Sequence, residues 1–303
     1  MNRRELLQGS AALGWIAAFP ACARAETSSA TSEAKPRPLV PPAKEGVPVA
    51  FLISDGAVVI DFCGPWEVFQ DAIVQGRDSD AFRLYTVAES KHPITASGGL
   101  KIVPDYTFET APPPKIIVIP AQGGRSEKTL DWVRRATKAT DVTMSVCTGA
   151  FLLAQTGLLS GKSATTHHSS YRTLAISYPD VHVNRGARYV EEGNLATAGG
   201  LSSGIDLALR VVERYYGRDA AKETAFQMEY QGQGWLHPDS NEVYAAERVS
   251  TAAHPLCPVC DMEVDPKTAP HSAWKGQDYY FCSSDHKVQF DATPEKFTSA
   301  TPK

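Results

Sequence analysis

From residue 48 onwards, short apolar runs that predict β-strands alternate with stretches of helical periodicity. The run at 49–53 is continuously apolar, which is typical of a parallel strand that is covered on both faces, and further strands are predicted at 115–119 and 142–146. The stretch at 202–216 places its apolar residues along one side, as in an amphipathic helix. This alternation predicts an α/β fold with a doubly wound parallel sheet and helices on both sides.

The first 25 residues predict an export signal and not a part of the fold. A paired-arginine start precedes an apolar stretch too short to span a bilayer comfortably, and small residues then stand where a signal peptidase reads. This pattern resembles a twin-arginine signal, so we expect a periplasmic or otherwise exported protein. A basic cytosolic N-terminus is one alternative. A lipoprotein anchor on Cys22 is another, and the preceding Phe and Pro disfavour it.

Composition divides the remaining chain into four parts. Residues 26–47 are rich in Ser, Thr, Ala, Pro and Lys and predict a flexible tether, whereas 48–230 form the main domain. Residues 231–254 are polar and predict a linker to a small block at 255–298. No segment after the signal has the length of a membrane span. The formal net charge of −4 gives no reason to expect a nucleic-acid partner.

The sharpest chemical signal is Cys147, which lies where a predicted buried strand ends and a helix begins. A side chain at such a junction stands on a tight turn above the sheet. Helix N-terminal amides would favour the thiolate there, and Gly149 would let backbone or substrate approach closely. Cys147 is therefore a candidate nucleophile. A buried, inert cysteine is equally compatible with this position alone.

A second signal is Asp61, an acid among apolar neighbours after the first strand. Burying an acid there is costly unless it has a partner or a function. In a doubly wound fold the end of the first strand lies on the same rim as the turn at Cys147, so Asp61 can reach the thiol and move protons. The alternative is that Asp61 caps a helix that starts near Pro65.

Four segments together resemble the ThiJ/PfpI superfamily, which has class I glutamine-amidotransferase-like domains. They are 61–69 (DFCGPWEVF), 145–149 (SVCTG), 164–167 (ATTH) and 199–206 (GGLSSGID). Within the superfamily they are most similar to isonitrile hydratases and to the corresponding domains of some transcription activators. The resemblance implies a flavodoxin-like sandwich that usually forms a homodimer.

The resemblance also implies roles for individual residues. Cys147 would attack the carbon of a small isonitrile substrate, and Asp61 would serve as general acid and base. Thr148 would hydrogen-bond near the reacting centre, and the amides of Gly124 and Thr148 would hold the developing charge. The product would be an N-substituted formamide, and this domain would need no cofactor.

Three further residues are candidates for the substrate pocket: Trp66, Cys63 and His167. Trp66 lines the pocket or packs in the core. Cys63 stands where the hydratases usually carry Thr; a redox pair with Cys147 is possible, but a packing role is favoured. His167 is a pocket-wall residue, a cap or a core residue. The chain also departs from the family at Ala121, where Gly is usual.

The C-terminal block predicts a small α+β metal-binding module. Cys257 and Cys260 are separated by two residues, and Cys282 and His286 are four apart, so each pair lies on one turn. Three sulfurs and one nitrogen suit zinc or a soft metal such as copper. The alternative is a disulfide, Cys257–Cys260 or Cys260–Cys282.

This block resembles a YHS domain, a small treble-clef-like unit, in which many relatives carry Cys at the position of His286. About forty residues make a thin core, so we expect a bound metal to stabilise the fold.

Two classes of function follow from these features. The first is an enzyme that hydrates an isonitrile or adds a thiol to a related small electrophile. The second is a non-catalytic exported protein of thiol-based stress response or metal handling. A transcription activator is disfavoured, because the sequence predicts no helix-turn-helix after residue 230.

Overall fold

A computed structural model of the chain describes residues 38–298. The predicted export signal, with Cys22, and most of the predicted tether lie outside this range. The strands are β1 Val47–Leu52, β2 Phe82–Ala88, β3 Ile94–Thr95, β4 Lys101–Ile102, β5 Tyr106–Thr107, β6 Ile116–Ile119, β7 Val142–Val146, β8 Ser163–Ala164, β9 His182–Val183, β10 Tyr189–Glu192, β11 Leu195–Ala198, β12 His271–Trp274 and β13 Gln277–Tyr280. The helices are α1 Val59–Gln70, α2 Glu127–Ala136, α3 Gly149–Gln155, α4 Tyr171–Ser177, α5 Ser203–Tyr216, α6 Arg218–Gln227, α7 Ser284–Ala292 and α8 Pro294–Thr298.

The main sheet has seven strands in the order β10-β11-β7-β6-β1-β2-β5. Every neighbouring pair is parallel except β10 and β11, so the predicted doubly wound α/β fold is confirmed. Strand β2 lies on one side of β1 and β6 lies on the other, so the direction in which strands are added to the sheet reverses at β1. Ligands of such sheets bind at the carboxyl ends of the strands beside this reversal.

Both faces of the sheet are covered, which explains the continuous apolar run at 49–53. Val49 and Phe51 of β1 belong to a core shared with α1, α5 and α6. Ala50 and Leu52 point to the opposite face and join a core with α2, α3 and α4. Successive strand residues point to opposite faces, so a strand buried on both sides needs apolar residues at every position.

Helix α1 begins at Val59, well before the predicted start near Pro65. Pro65 is therefore inside the helix, where it cannot donate a hydrogen bond to the carbonyl of Asp61. Asp61 lies in the first turn and not in a preceding loop. The N-cap position is Val58, without a side-chain cap, so a capping role for Asp61 is wrong.

The described end of the predicted tether is anchored to the domain. The Leu39 amide donates to the carbonyl of Arg214 at 2.7 Å. The Arg77 guanidinium donates to the carbonyls of Pro42 and Glu45 at 3.2 and 2.6 Å. A flexible tether is therefore wrong for 38–46, because side chains from the folded domain bind its backbone.

The predicted linker at 231–254 packs on the main domain. Trp235 is buried, and its amide donates to Oδ1 of the buried Asp206 at 2.9 Å. The Tyr230 hydroxyl donates to the same oxygen at 3.1 Å, and Arg188 forms an ion pair with the other oxygen of Asp206. This network places Tyr230 in a structural role.

The C-terminal module consists of the hairpin β12–β13 followed by α7 and α8. Its small core combines two cysteines with four apolar residues, namely Cys257, Cys260, Val259, Phe281, Phe290 and Phe297. Ile176 of α4 packs against this core, so the module rests on the main domain. Across 38–298, none of the helices is both long and apolar enough to cross a bilayer.

Candidate active site and metal centre

Cys147 forms a sharp turn between β7 and α3. Its φ of 58° lies in the left-handed region that non-glycine residues rarely adopt. The Cys147 amide donates to the carbonyl of Gly199 at 2.8 Å, and its carbonyl accepts from Thr166 Oγ1 at 2.8 Å. Because neighbouring segments hold this strained backbone on both sides, the thiol is fixed at the strand–helix junction.

Gly149 brings the start of α3 against the end of β6. A Cβ on Gly149 would lie 2.2 Å from the carbonyl oxygen of Ile119 and 2.9 Å from that of Pro120. Both are backbone atoms of the strand end next to β7, so they cannot move aside as a side chain can. Only glycine permits this approach, as the sequence indicates.

We therefore expect Gly149→Ala to lower the free energy of unfolding by about 3 kcal/mol, since overpacking against backbone displaces an entire turn. Gly64→Ala in α1 is the matched control, because its Cβ would meet the side chain of Ile205. Urea denaturation of both variants measures the difference. If both variants lost the same free energy of unfolding, the close approach of Gly149 to the Ile119 carbonyl would not be what requires glycine at this position.

The Asp61 carboxyl is fully buried beside the Cys147 thiol. Its Oδ2 accepts a hydrogen bond from the Ala121 amide at 3.1 Å, while Oδ1 is buried with no partner in hydrogen-bonding geometry. Burial raises the pKa of Asp61 to about 6, although the Ala121 amide, the Cys147 thiol and the Leu201 amide all act to lower it. A buried oxygen without a partner next to a thiol is available to a proton in transit or to a substrate.

The Cys147 thiol retains its proton in the free protein. Burial, followed by the negative charge of Asp61, raises its pKa to about 12. The amides of Thr148 and Leu201 act in the opposite direction, but they are outweighed. The expectation that the start of α3 favours the thiolate is therefore wrong for the resting state, because desolvation dominates. A base must remove the proton as the sulfur reacts.

Leu201 lies beside the two candidate catalytic groups, and sequence reasoning did not identify it. Its φ of 49° is left-handed although it is not glycine, and its side chain is 43% exposed. Its amide lies close enough to lower the pKa of both Asp61 and Cys147. The signal for it was present: the pair Gly199-Gly200 follows β11, the neighbour of β7.

The four predicted metal ligands form one cluster, with their ligand atoms all within 4.8 Å of one another. Cys260 Sγ lies 3.5 Å from Cys282 Sγ, and His286 Nδ1 lies 3.5 Å from Cys257 Sγ and 3.2 Å from Cys282 Sγ. A tetrahedral zinc site with bonds of about 2.3 Å separates its sulfurs by about 3.8 Å, so this donor set fits a metal ion.

The thiols of the cluster are free, as are all cysteines among the described residues. A hydrogen bond from the Cys260 thiol is the largest cause that lowers the pKa of Cys257. Thiolates are the species that bind metals, so this lowered pKa suits metal binding by the cluster.

Comparison with known protein families identifies both the main domain and the C-terminal module. Residues 47–214 match the model of the DJ-1/PfpI family, and residues 257–301 match that of the YHS domain. The chain belongs to the DJ-1/PfpI family. Its resemblance to the ThiJ/PfpI superfamily and to a YHS domain is thereby confirmed.

Individual relatives cover the DJ-1/PfpI domain. An isonitrile hydratase of Pseudomonas putida is 33% identical over 60% of this chain and 78% of its own length. The transcriptional regulator CdhR of Pseudomonas aeruginosa is 24% identical over 58% of this chain and 53% of its own. The structure of a ThiJ/PfpI family protein from Pseudomonas syringae is 28% identical, with a TM-score of 0.55, and covers 63% of this chain and 78% of that one.

Two residues of the DJ-1/PfpI domain were predicted to hold developing charge. Thr148 occupies the N-cap position of α3 without a side-chain cap bond, and its amide lies beside the sulfur. The Gly124 amide instead donates to Ser54 Oγ at 2.9 Å, and a Cβ on Gly124 would lie 2.6 Å from that side chain. The predicted role of Gly124 is therefore wrong, because its donor is already used; the second amide that lies beside the sulfur is that of Leu201.

The two pocket candidates on α1 of the DJ-1/PfpI domain face its core. The Trp66 ring is 4.8 Å from that of Phe51, and its indole N–H donates to Gln70 Oε1 at 3.3 Å. Half-buried Cys63 packs against the same core, and burial followed by the charge of Glu67 raises the pKa of its thiol. For both residues the packing alternative describes the structure.

His167 supports the loop that carries Leu201. Its Nδ1 accepts from the Ser169 amide at 3.3 Å and is 2.8 Å from Ser169 Oγ, so it caps the short turn that follows. A Cβ on Gly200 would lie 2.3 Å from His167 Cδ2, because the ring covers that glycine. His167 therefore takes the capping role, and its ring packs against Gly200, the residue before Leu201.

Proposed function

We propose that the chain hydrates an isonitrile to an N-substituted formamide, with Cys147 as the nucleophile and Asp61 as the general acid and base. The observation that carries this proposal is the buried, unpartnered Oδ1 of Asp61 beside the protonated Cys147 thiol. The similarity to the isonitrile hydratase of Pseudomonas putida supports the choice of substrate.

The first step adds the thiol to the terminal carbon of the isonitrile. Asp61 Oδ1 takes the proton from Cys147 and delivers it to that carbon while the sulfur bonds to the same atom. The product is a thioimidate on Cys147, and no net charge accumulates. A neutral thiol paired with a buried carboxylate suits this addition, because the carbon must receive both a sulfur and a proton.

The second step hydrolyses the thioimidate. Asp61 removes a proton from a water molecule that attacks the same carbon, and the substrate nitrogen gains a proton. The C–S bond of the tetrahedral intermediate then breaks, which releases the formamide and returns the proton to Cys147. The amides of Thr148 and Leu201 face the sulfur and stabilise negative charge on it as it leaves.

The pKa of Asp61 predicts how the rate depends on pH. Because only the carboxylate can accept the thiol proton, kcat/KM should rise with increasing pH through an apparent pKa of about 6 and level off above it. A pH profile between about 4.5 and 8 measures this. A profile that is flat across this range would contradict a role for Asp61 as the base.

The direct test is an assay of the purified protein with alkyl and aryl isonitriles, with formamide as the readout. Activity should disappear in Cys147→Ala. The matched control is Cys63→Ala, since Cys63 is a half-buried thiol that packs against the core. Mass spectrometry of a quenched reaction should show the substrate's mass added at Cys147. Absence of formamide with all isonitriles would refute the proposed reaction.

The alternative, a non-catalytic exported protein for stress response or metal handling, draws support from the Cys/His cluster. Oxidants react with thiolates, so the raised pKa of Cys147 disfavours thiol-based sensing at this residue. Periplasmic export and a homodimer stay predictions. Fractionation of cells that express the full chain tests the first, and light scattering tests the second.

A further inference from the structure

A groove of about 430 Å³ lies between the DJ-1/PfpI domain and the C-terminal module. It begins at Thr148, next to the nucleophile, and continues along Phe151 of α3 and Ser169 before α4. Cys260, Met262, His286 and Gln289 of the module form the facing wall, so two of the candidate metal ligands border the groove. The groove therefore joins Thr148, the residue that follows the nucleophile, to residues that the DJ-1/PfpI domain alone does not contain; Cys147 and Asp61 are not themselves among its lining residues.

The module is fixed in this position by side chains of α4 that donate hydrogen bonds to its backbone carbonyls. Arg172 Nε donates to the carbonyl of Pro258 at 2.8 Å, and Thr173 Oγ1 donates to that of Val259 at 2.7 Å. These two carbonyls lie between the first two metal-ligand candidates. The donors belong to α4, so the same helix lines the groove and holds its opposite wall.

Arg125 gives the groove a positive charge. It is the one Lys or Arg among the described lining residues, and none of those residues is an acid. Its guanidinium lies over the Phe151 ring, 5.7 Å from the centroid. The Ser170 hydroxyl also lines the groove and can donate a hydrogen bond to an anion, whereas those of Ser169 and Thr173 are already paired with His167 and the Val259 carbonyl.

We propose that this groove binds the substituent of the substrate and selects one that carries a carboxylate, with Arg125, Met262 and Gln289 as specificity-determining residues. The identity of the reacting group rests on the proposed function, whereas the groove's preference for an anion does not. A cluster of three thiolates with a divalent metal is itself negative, so attraction of the carboxylate depends on Arg125.

The first experiment compares an isocyano carboxylate with its methyl ester. In Arg125→Gln, the ratio of kcat/KM for the acid to that for the ester should fall about tenfold, mainly through KM for the acid. Arg135→Gln is the control, because it removes an equal charge from an exposed site outside the groove. An unchanged ratio in Arg125→Gln, or the same fall in Arg135→Gln, would overturn the proposal.

A second measurement does not depend on isonitrile chemistry. The full chain is alkylated with N-iodoacetyl-β-alanine or its methyl ester, and mass spectrometry follows the modification of Cys147. The acid should react faster than the ester in the unmodified chain, and Arg125→Gln should remove this preference. If no isonitrile is hydrated but the acid still reacts faster than the ester, the proposed reaction is refuted and the proposed anion preference of the groove is supported. If the acid and the ester react equally fast in the unmodified chain, the proposed anion preference is refuted.

The module wall is tested with the same two reagents. Met262→Trp should slow alkylation by the N-iodoacetyl compounds and leave the rate with the much smaller iodoacetamide less affected, because the indole would fill the groove. Gln289→Ala provides a second variant that does not add bulk, and it should weaken the preference for the acid. Circular dichroism checks that both fold. Identical rates for all reagents in both variants would exclude the module from the site.

Discussion

Asp61→Asn is expected to reduce formamide production by at least about 10³-fold while making the protein more stable. The loss of activity follows because an amide cannot accept the thiol proton. The gain in stability follows from the sign of the pKa shift. Burial raises the pKa of Asp61 to about 6, so ionisation is harder in the folded protein than in the unfolded chain.

The free energy of unfolding therefore decreases as the pH rises from about 4 to about 6, and the loss is complete at pH 7. A shift of about two pKa units corresponds to about 3 kcal/mol. Asparagine does not titrate, but its amide would gain an unsatisfied donor, so we expect a net gain of about 1–2 kcal/mol. Urea denaturation at pH 7 measures it.

The matched control is Asp105→Asn. Asp105 Oδ2 accepts from the Thr86 amide and hydroxyl, both at 2.8 Å, in a structural site away from Cys147. This substitution should lower stability, because it disturbs the two hydrogen bonds that Asp105 Oδ2 accepts, and should leave the hydration rate as it was. A stable Asp61→Asn variant with full activity would remove the carboxylate from the mechanism.

Removal of metal from the module should have the second large effect. Its core contains four apolar residues, so burial of apolar surface contributes little to its stability. Binding of a structural zinc ion is worth on the order of 10 kcal/mol, and much of this becomes folding free energy. We therefore expect Cys257→Ser, or a chelator, to unfold 255–298 while the main domain stays folded.

Metal analysis and limited proteolysis check this expectation. The unmodified chain should carry about one metal ion and resist cleavage within the module, whereas Cys257→Ser should carry none and be cut there. Cys63→Ser is the control, because it removes a cysteine outside the cluster. A chelated module that resists the protease would show that its fold does not need the metal.

The site shows where the sequence sufficed and where it did not. The turn at Cys147 was predictable because the predicted strand at 142–146 ends at this cysteine and Gly149 marks the start of a helix two residues later. The position of Asp61 in α1 was not, because Pro65 indicated a later helix start. The pair Gly199-Gly200 marked the loop after β11, but the left-handed backbone at Leu201 itself is not indicated by its residue type.

The sequence also could not show that the amide N–H of Gly124 is already engaged in a hydrogen bond. Its amide binds Ser54, which is 70 positions away in the chain. Likewise, Trp66 is apolar enough for either a pocket or a core, and only the contact with Phe51 decides between them. Such assignments depend on contacts between residues that are far apart in the chain, and a single sequence does not show these contacts.

The sequence by itself determined the parallel α/β fold, the turn at Cys147 and the four metal-ligand candidates. Each of these depends on local spacing: the period of apolar residues, a strand–helix junction, and two pairs of ligands on single turns. Only the tertiary structure decided the proton state of Cys147, the free oxygen of Asp61 and the groove shared with the module. These depend on burial and on contacts between distant segments, which arise only when the chain has packed.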